Sequence, residues 1–258
     1  MPLIGNHIVV LNTIDSSNNY AMEQVHAGLA GHGQVWFALK QTAGKGQRGK
    51  VWKGATAQNI LMSAVLETGK LAIDQQFRLS ATTALAVRNF FAFHAGVDTS
   101  VKWPNDLYWR DRKAGGILIE NIIGPGLTAD GQPPTVGGKW KWAVVGIGIN
   151  INQTVFPDNL PNPISLNHIT GRKYEMMELV NELCICLEEQ WQLLINGHWQ
   201  SIYEKYNHHL YKRGQAVRLR KNNVVMPCTI RGVSEEGKLL IEEDKQIQFD
   251  FGEVSWEL

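Results

Sequence analysis

The chain has 258 residues, of which 44% are hydrophobic and 19% charged, and its formal net charge is +1. That length suits one large core, or a large domain with a small one. Near-neutrality excludes a global field of the kind that draws a protein to nucleic acid, so any basic function must be local. Three cysteines, Cys184, Cys186 and Cys228, without C-x-x-C spacing, argue against a disulfide framework or a zinc site and for reduced thiols. The N-terminus has neither a basic n-region nor a long apolar stretch, and no apolar run approaches the length of a bilayer span. The expectation is a soluble, cytoplasmic protein without membrane contact.

In chain order, the β-branched residues 7–14 predict a strand. Asp15 or Ser16 is placed to cap a helix with Tyr20, Val25 and Leu29 on its apolar face, ended by Gly31 and Gly33. Residues 34–41 predict a strand, and "NILMSAVLE" (59–67) a second one. A long helix is expected from about 74 to 94, with Phe77, Ala81, Ala84, Leu85 and Ala92 to bury and Gly96 as its stop. Residues 100–110 begin as a strand and turn at Pro104-Asn105-Asp106, and 113–124 and 141–151 predict neighbouring strands. Their Gly- and Pro-rich connection, 125–139, is expected to be mobile, and 152–170 irregular. Met176, Val180, Leu183, Leu187, Trp191 and Leu194 recur at helical spacing, with Gly197 as the stop; a shorter helix, about 198–210, follows. After Arg213-Gly214 come short strands broken by "KNN", "SEEG" and "EDK", the texture of a small β-barrel or SH3-like module. The expected domains are 1–212 and 213–258, the second too small to bury much core alone and docked on the first.

The stretch "QTAGKGQRGKVW" (41–52) matches two phosphate patterns at once. Gly44, Gly46 and Gly49 fit G-x-G-x-x-G, and Gly44, Gly49 and Lys50 fit the first seven positions of the P-loop. Neither reading holds. The P-loop needs Ser or Thr after its lysine, where this chain has Val51, and both patterns need a helix to open there. Nine residues separate Gly49 from Asn59, one of them Gly54, which leaves no room for a helix, so the flanking strands should pair antiparallel. What remains is the physics the patterns share: glycines let backbone N–H groups approach an anion, and Lys45, Arg48 and Lys50 add charge. A flexible basic surface turn is the competing reading of the loop alone. "KWPND" (102–106) then puts a cation, a rigid turn and an amide–carboxylate pair together, against the simpler reading of a plain turn. Lys113 precedes the glycine-permissive strand "AGGILIE", where a solvated strand-edge lysine is the alternative. "GIGIN" closes a further strand with Asn150.

The ordered set "IDSSNNY", "QTAGKGQRGKVW", "KWPND", "RKAGGILIE" and "GIGININ" resembles the biotin protein ligases, over nearly the whole chain from residue 7. The resemblance implies an α+β fold, a mixed and largely antiparallel sheet with helices on one face, of the class II aminoacyl-tRNA synthetase and biotin synthetase type, plus a C-terminal SH3-like barrel. It implies an enzyme that joins biotin and ATP, with magnesium, into biotinyl-adenylate and then transfers biotin to a lysine of a biotin carboxyl carrier domain.

By motif position, Ser16, Ser17 and Gln41 are implied to meet the ureido head. Gly44 and Lys45 flank the carboxylate, Trp52 walls the pocket, and Gly115 and Gly116 line it. Arg48 and Lys50 address ATP phosphates, with Lys102 as a further phosphate cation or a strand-edge charge. Asn105 and Asp106 place the nucleotide and its magnesium, Asp106 being the candidate metal ligand and a group that helps the incoming lysine lose its proton. Asn150 stands on the ATP or metal side. Lys113, with Lys45 and Asp106, makes the catalytic set, bridging the biotin carboxyl and the α-phosphate. The family's common loop reads G-R-G-R-R-G-R, so Lys45 loses bidentate geometry and Gln47 loses charge, which implies a weaker hold on the adenylate. A lipoate–protein ligase and a non-catalytic biotin- or carrier-binding module are the alternatives. The chain enters the catalytic motifs within its first ten residues, so no DNA binding is expected, and a homodimer is left open.

Overall fold

The computed structural model describes residues 2–124 and 139–257. Its main sheet has seven strands: β1 (His7–Leu11), β2 (Gln34–Ala38), β3 (Asn59–Glu67), β4 (Thr99–Lys102), β5 (Asp106–Trp109), β6 (Arg112–Gly124) and β7 (Lys139–Asn150). Their spatial order is β1-β2-β3-β7-β6-β5-β4. Only β1 and β2 run parallel, because α1 (Ser17–His26) supplies the crossover that a parallel pair requires. The β2–β3 pair is antiparallel, as the short helix-free connection demands.

Strand β3 is buried at every position except Glu67. Ile60, Met62, Ala64 and Leu66 face the main core, with Leu85 and Phe91 of α2 (Gln76–Ala95), Val180 and Trp191 of α4 (Met176–Ile195) and Ile202 of α5 (Trp199–His208). Each of the larger aliphatic and Phe side chains contributes about 1.5–3 kcal/mol by leaving water. On the opposite face, Val65, Trp36 and Val144 pack against Ala21 of α1. The expectation of helices on one face is thereby corrected: α1 covers the other side. The cause is the apolar content of β3, which alternates between two hydrophobic destinations rather than between core and water.

The stretch expected to be irregular, 152–170, contains one short helix, α3 (Leu166–Thr170). It is capped by Ser165 Oγ, which accepts from His168 N, and closed by left-handed Gly171. The connection expected to be mobile falls on 125–138, outside the described residues; Lys139 already opens β7. All three cysteines are free, and burial pushes Cys184 up to about 12. Among the described residues no helix is long and apolar enough to cross a membrane.

The last strands are β8 (Ala216–Lys221), β9 (Val224–Val233), β10 (Leu239–Glu242), β11 (Gln246–Phe249) and β12 (Ser255–Glu257). They form an antiparallel sheet in the order β11-β10-β9-β8-β12. Its inward residues Leu219, Ile230, Leu239 and Ile241 continue the main core. Buried Asn207 of α5 fastens it: Oδ1 accepts from Val233 N at 2.7 Å and Nδ2 donates to Val233 O at 3.1 Å. Lys102 closes the junction from the other side. It is 6% exposed, donates to Tyr108 Oη at 3.0 Å, and lies 4.5, 5.0 and 5.6 Å from the ring centroids of Tyr108, Trp256 and Tyr211. Burial pushes this lysine down to about 8, while Asp106 pulls it up.

Candidate active site

Strand alternation decides which residues form the site. Directly opposed residues share a face, so Ser63 pairs with Gly146, Leu61 with Gly148, Gly116 with Gly148, Leu118 with Gly146 and Asp106 with Gly116. Together they make a floor on the side away from α2, α4 and α5. Two glycines of that floor are required by close approach. A Cβ on Gly146 would collide with Asn18 Oδ1, and one on Gly148 would lie 2.7 Å from the Trp52 indole.

Lys113 reaches this floor through an irregularity. The β5–β6 register shifts between Leu107, opposite Gly115, and Tyr108, opposite Lys113, so Ala114 is an extra residue. Strict alternation from Gly116 would have turned Lys113 into the helical core. The bulge puts Ala114 into that core instead and returns Lys113 to the site face, where its Nζ lies 2.6 Å from Asp106 Oδ1. The loop 162–164 clamps its backbone: Lys113 N donates to Asn162 O and Ile164 N to Lys113 O, both at 2.9 Å.

The glycine loop is a small hairpin. Trp52 N donates to Gly44 O, Lys45 bridges Val51, and Gly46 N donates to Lys50 O at 2.7 Å. Its tip, Gln47–Gly49, has left-handed Arg48 and Gly49, with φ of 56° and 74°. Gly44 has no room for a side chain, since a Cβ would sit 2.6 Å from Trp52 O. The hairpin lays Trp52 over Gly148 and Gly116 and brings Lys45 Nζ to 3.6 Å from Glu120 Oε1. The Trp52 Nε1 is buried without a partner among the described residues.

At the other end of the floor, Gln41 Oε1 accepts from Ser17 N at 2.6 Å. Ser16 and Ser17 are buried at the start of α1, and Ser63 Oγ lies 2.8 Å from Ser17 Oγ.

The structure thus brings Ser17, Gln41, Gly44, Lys45, Trp52, Asp106, Lys113 and Gly116 together. Gly115 is on the wrong side: it pairs with Leu107 and abuts Ile149, both in the main core. Lys102 pairs with Asp106 and so shares its face, but its Nζ is held among Tyr108, Tyr211 and Trp256. Arg48 turns toward the C-terminal sheet, donating to Gly252 O at 3.1 Å, while Lys50 is exposed. Asn105 Nδ2 braces β6 through Ile117 O at 2.8 Å, and Asn150 Nδ2 holds Ile164 O at 3.1 Å. Sequence reasoning missed Asn18, Ser63, Glu120 and the floor glycines 146 and 148 as site residues. The alternate glycines of "GIGIN" were the available signal.

A family model described as the biotin/lipoate A/B protein ligase family matches residues 10–129. The chain is 30% identical over 263 residues to the bifunctional ligase/repressor BirA of Escherichia coli strain K12, covering 98% of this chain and 75% of that one. The chain belongs to the biotin protein ligase family. A second member, the biotin–acetyl-CoA-carboxylase ligase of Paracoccus denitrificans, is 28% identical over 243 residues, covering 90% of this chain and 92% of its own. In fold, this ligase-family chain is similar to the biotin protein ligase of Aquifex aeolicus, determined in complex with biotin and ATP. The TM-score is 0.79 at 23% identity, covering 98% and 99% of the two chains.

Proposed function

We propose that this chain activates biotin as biotinyl-5′-AMP and transfers the biotinyl group to a lysine of a biotin carboxyl carrier domain. A carboxylate oxygen of biotin attacks the α-phosphorus of ATP and pyrophosphate leaves. The carrier amine, having lost its proton, then attacks the acyl carbon and AMP leaves. The observation that carries this reading is the pair of lysines, Lys45 and Lys113, brought to one glycine floor by the glycine hairpin and by the bulged start of β6. Two anions must meet, and their repulsion is what fixed cations offset.

In this reading Lys113 bridges the acyl oxygen and the α-phosphate through both steps, Lys45 holds the carboxylate, and Asp106 takes up the amine proton. Ser16, Ser17 and Gln41 match the cyclic urea, whose donors and acceptor need partners once out of water. Trp52 rests where the ring system would lie, so it lifts to become the pocket's outer wall. Arg48 and Lys50 swing to the nucleotide phosphates, and Asn105 aids nucleotide placement. Among the described residues no group of three or more His, Cys, Asp or Glu side chains forms a metal site. Magnesium bound with the triphosphate would neutralise part of its charge, and Asp106, 2.6 Å from Lys113, is the carboxylate that would hold it. The C-terminal strands read as an SH3-like barrel, a unit of about 213–258; the shift between Leu240 and Ile241 in β9–β10 supports its curvature. The test is acid-dependent ATP–pyrophosphate exchange. Biotin, not lipoate, should support it, and Lys113→Ala should lower it by about 100-fold to 1,000-fold. Exchange supported equally by lipoate, or unchanged by the substitution, would overturn the reading.

A further inference from the structure

One chain of side chains runs along the site face of the sheet from Ser17 to Lys45. Glu120, 29% exposed at its side chain, places Oε1 3.6 Å from Lys45 Nζ and accepts from Asn18 Nδ2 at Oε2, at 2.8 Å. Asn18 is 3% exposed, and its Nδ2 also donates to Leu118 O at 3.2 Å. Both of those partners are acceptors only, so the orientation of the amide is determined: nitrogen toward Glu120 and Leu118, oxygen toward Ser63. Ser63 Oγ lies 2.6 Å from Asn18 Oδ1 and 2.8 Å from Ser17 Oγ.

Ser63 has one hydroxyl hydrogen. Asn18 Oδ1 donates nothing, so that hydrogen goes to Asn18, and the Ser63–Ser17 contact must use the hydrogen of Ser17. Ser17 Oγ is left with lone pairs alone. Gln41 spends its oxygen on Ser17 N and keeps its amide N–H groups as donors. The ureido end therefore presents one acceptor and one donor side by side, the complement of an N–H beside a C=O.

We propose that Glu120 is a positioning residue. Through Asn18 and Ser63 it sets the polarity of the Ser17 hydroxyl, and so selects an acid whose head group donates an N–H at that point. This rests on the biotin reading above. A dithiolane head, which has no N–H, gains nothing from an acceptor there. The same chain makes Gly146 obligatory, since any side chain would displace Asn18.

The test compares Glu120→Gln with Glu120→Ala. Both lose the charge opposite Lys45, so their difference reports the Asn18 contact, because a glutamine oxygen still accepts from Nδ2. Exchange rates are measured with biotin and with its two ureido N-methyl derivatives, together with the KM for ATP. Glu120→Ala should raise the biotin KM about fivefold relative to Glu120→Gln, consistent with loss of a neutral hydrogen bond. It should leave the ATP KM within about twofold and reduce the preference for biotin over the N-methyl derivative that blocks the selected N–H. Ser63→Ala should reduce that preference similarly, and the double variant should lose no more than either alone. Equal KM values and equal preference in Glu120→Gln and Glu120→Ala would overturn the proposal, as would additive losses in the double variant. If the unmodified protein shows no biotin-dependent exchange, the functional reading itself fails; if it does and the variants do not differ, only the role of Glu120 falls.

Discussion

Strands β3, β7 and β6 present two faces made by alternate residues of the same segments. One carries Ile60, Met62, Val145 and Ile147 into a core closed by α2, α4 and α5. The other carries Ser63, Gly146, Gly148 and Gly116 and, among the described residues, is covered by α1 and the Trp52 hairpin. The first face spends its side chains on burial. The second gives up side chains, and one indole and two lysines stand close to its bare backbone. A substitution one residue along a strand should therefore change in kind, from a stability effect to a binding effect.

The largest expected effect lies on the helical face. Phe91, fully buried in α2, should cost about 3–5 kcal/mol of unfolding free energy on Phe91→Ala, read by denaturant titration, with the biotin KM of the folded fraction unaltered. On the opposite face, Gly148→Val should raise the biotin KM at least about tenfold, its new side chain filling the space between floor and indole, while the unfolding midpoint moves little. A large loss of stability without a KM change would break the comparison.

A smaller effect concerns pH. His209, beside α5, is held neutral to about 4 by burial and by the nearby Arg88 and His208 charges. Its unfolded pKa is higher, near 6.5, so the unfolded chain takes up the proton first. Stability from this group is present above about 6.5 and is lost as pH falls toward 4. His209→Gln should flatten the pH dependence of stability in that window and leave exchange activity at neutral pH as it was; an unchanged slope would contradict this. The smallest effect is on the hairpin. Gln47→Arg should slow release of the adenylate by up to about fivefold, within the range of a solvent-exposed charge pair, in a filter-retention time course. Unchanged or faster release would count against the weaker grip inferred for this loop.

Much of this contrast was legible in the chain. The span of β3 and its antiparallel partner β2 followed from an apolar run and a connection too short for a helix. The glycine loop, Asp106 and Lys113 stood out by type and spacing, while their roles came from the family resemblance. What escaped depended on parity and distance. A nine-residue apolar strand does not say that both its faces are covered, so α1 was assigned to the wrong side. Gly115 and Gly116 are indistinguishable in sequence, yet one faces the core and the other the floor. The bulge at Ala114 leaves no mark except in the strand pairing, and it alone turns Lys113 toward Asp106. Asn18 and Glu120 are 102 residues apart, and nothing local in either segment announces the other.

The central claim is that this glycine face, with Lys45 and Lys113 over it, brings a carboxylate to a nucleotide. It is tested most directly by a crystal of the protein with biotin and a non-hydrolysable ATP analogue. The account predicts the urea beside Ser17 and Gln41, the ring on Gly148 and Gly116 with Trp52 lifted from the floor, and the carboxylate within hydrogen-bond reach of both lysines. Biotin bound elsewhere, with Trp52 still seated on Gly148, would contradict it.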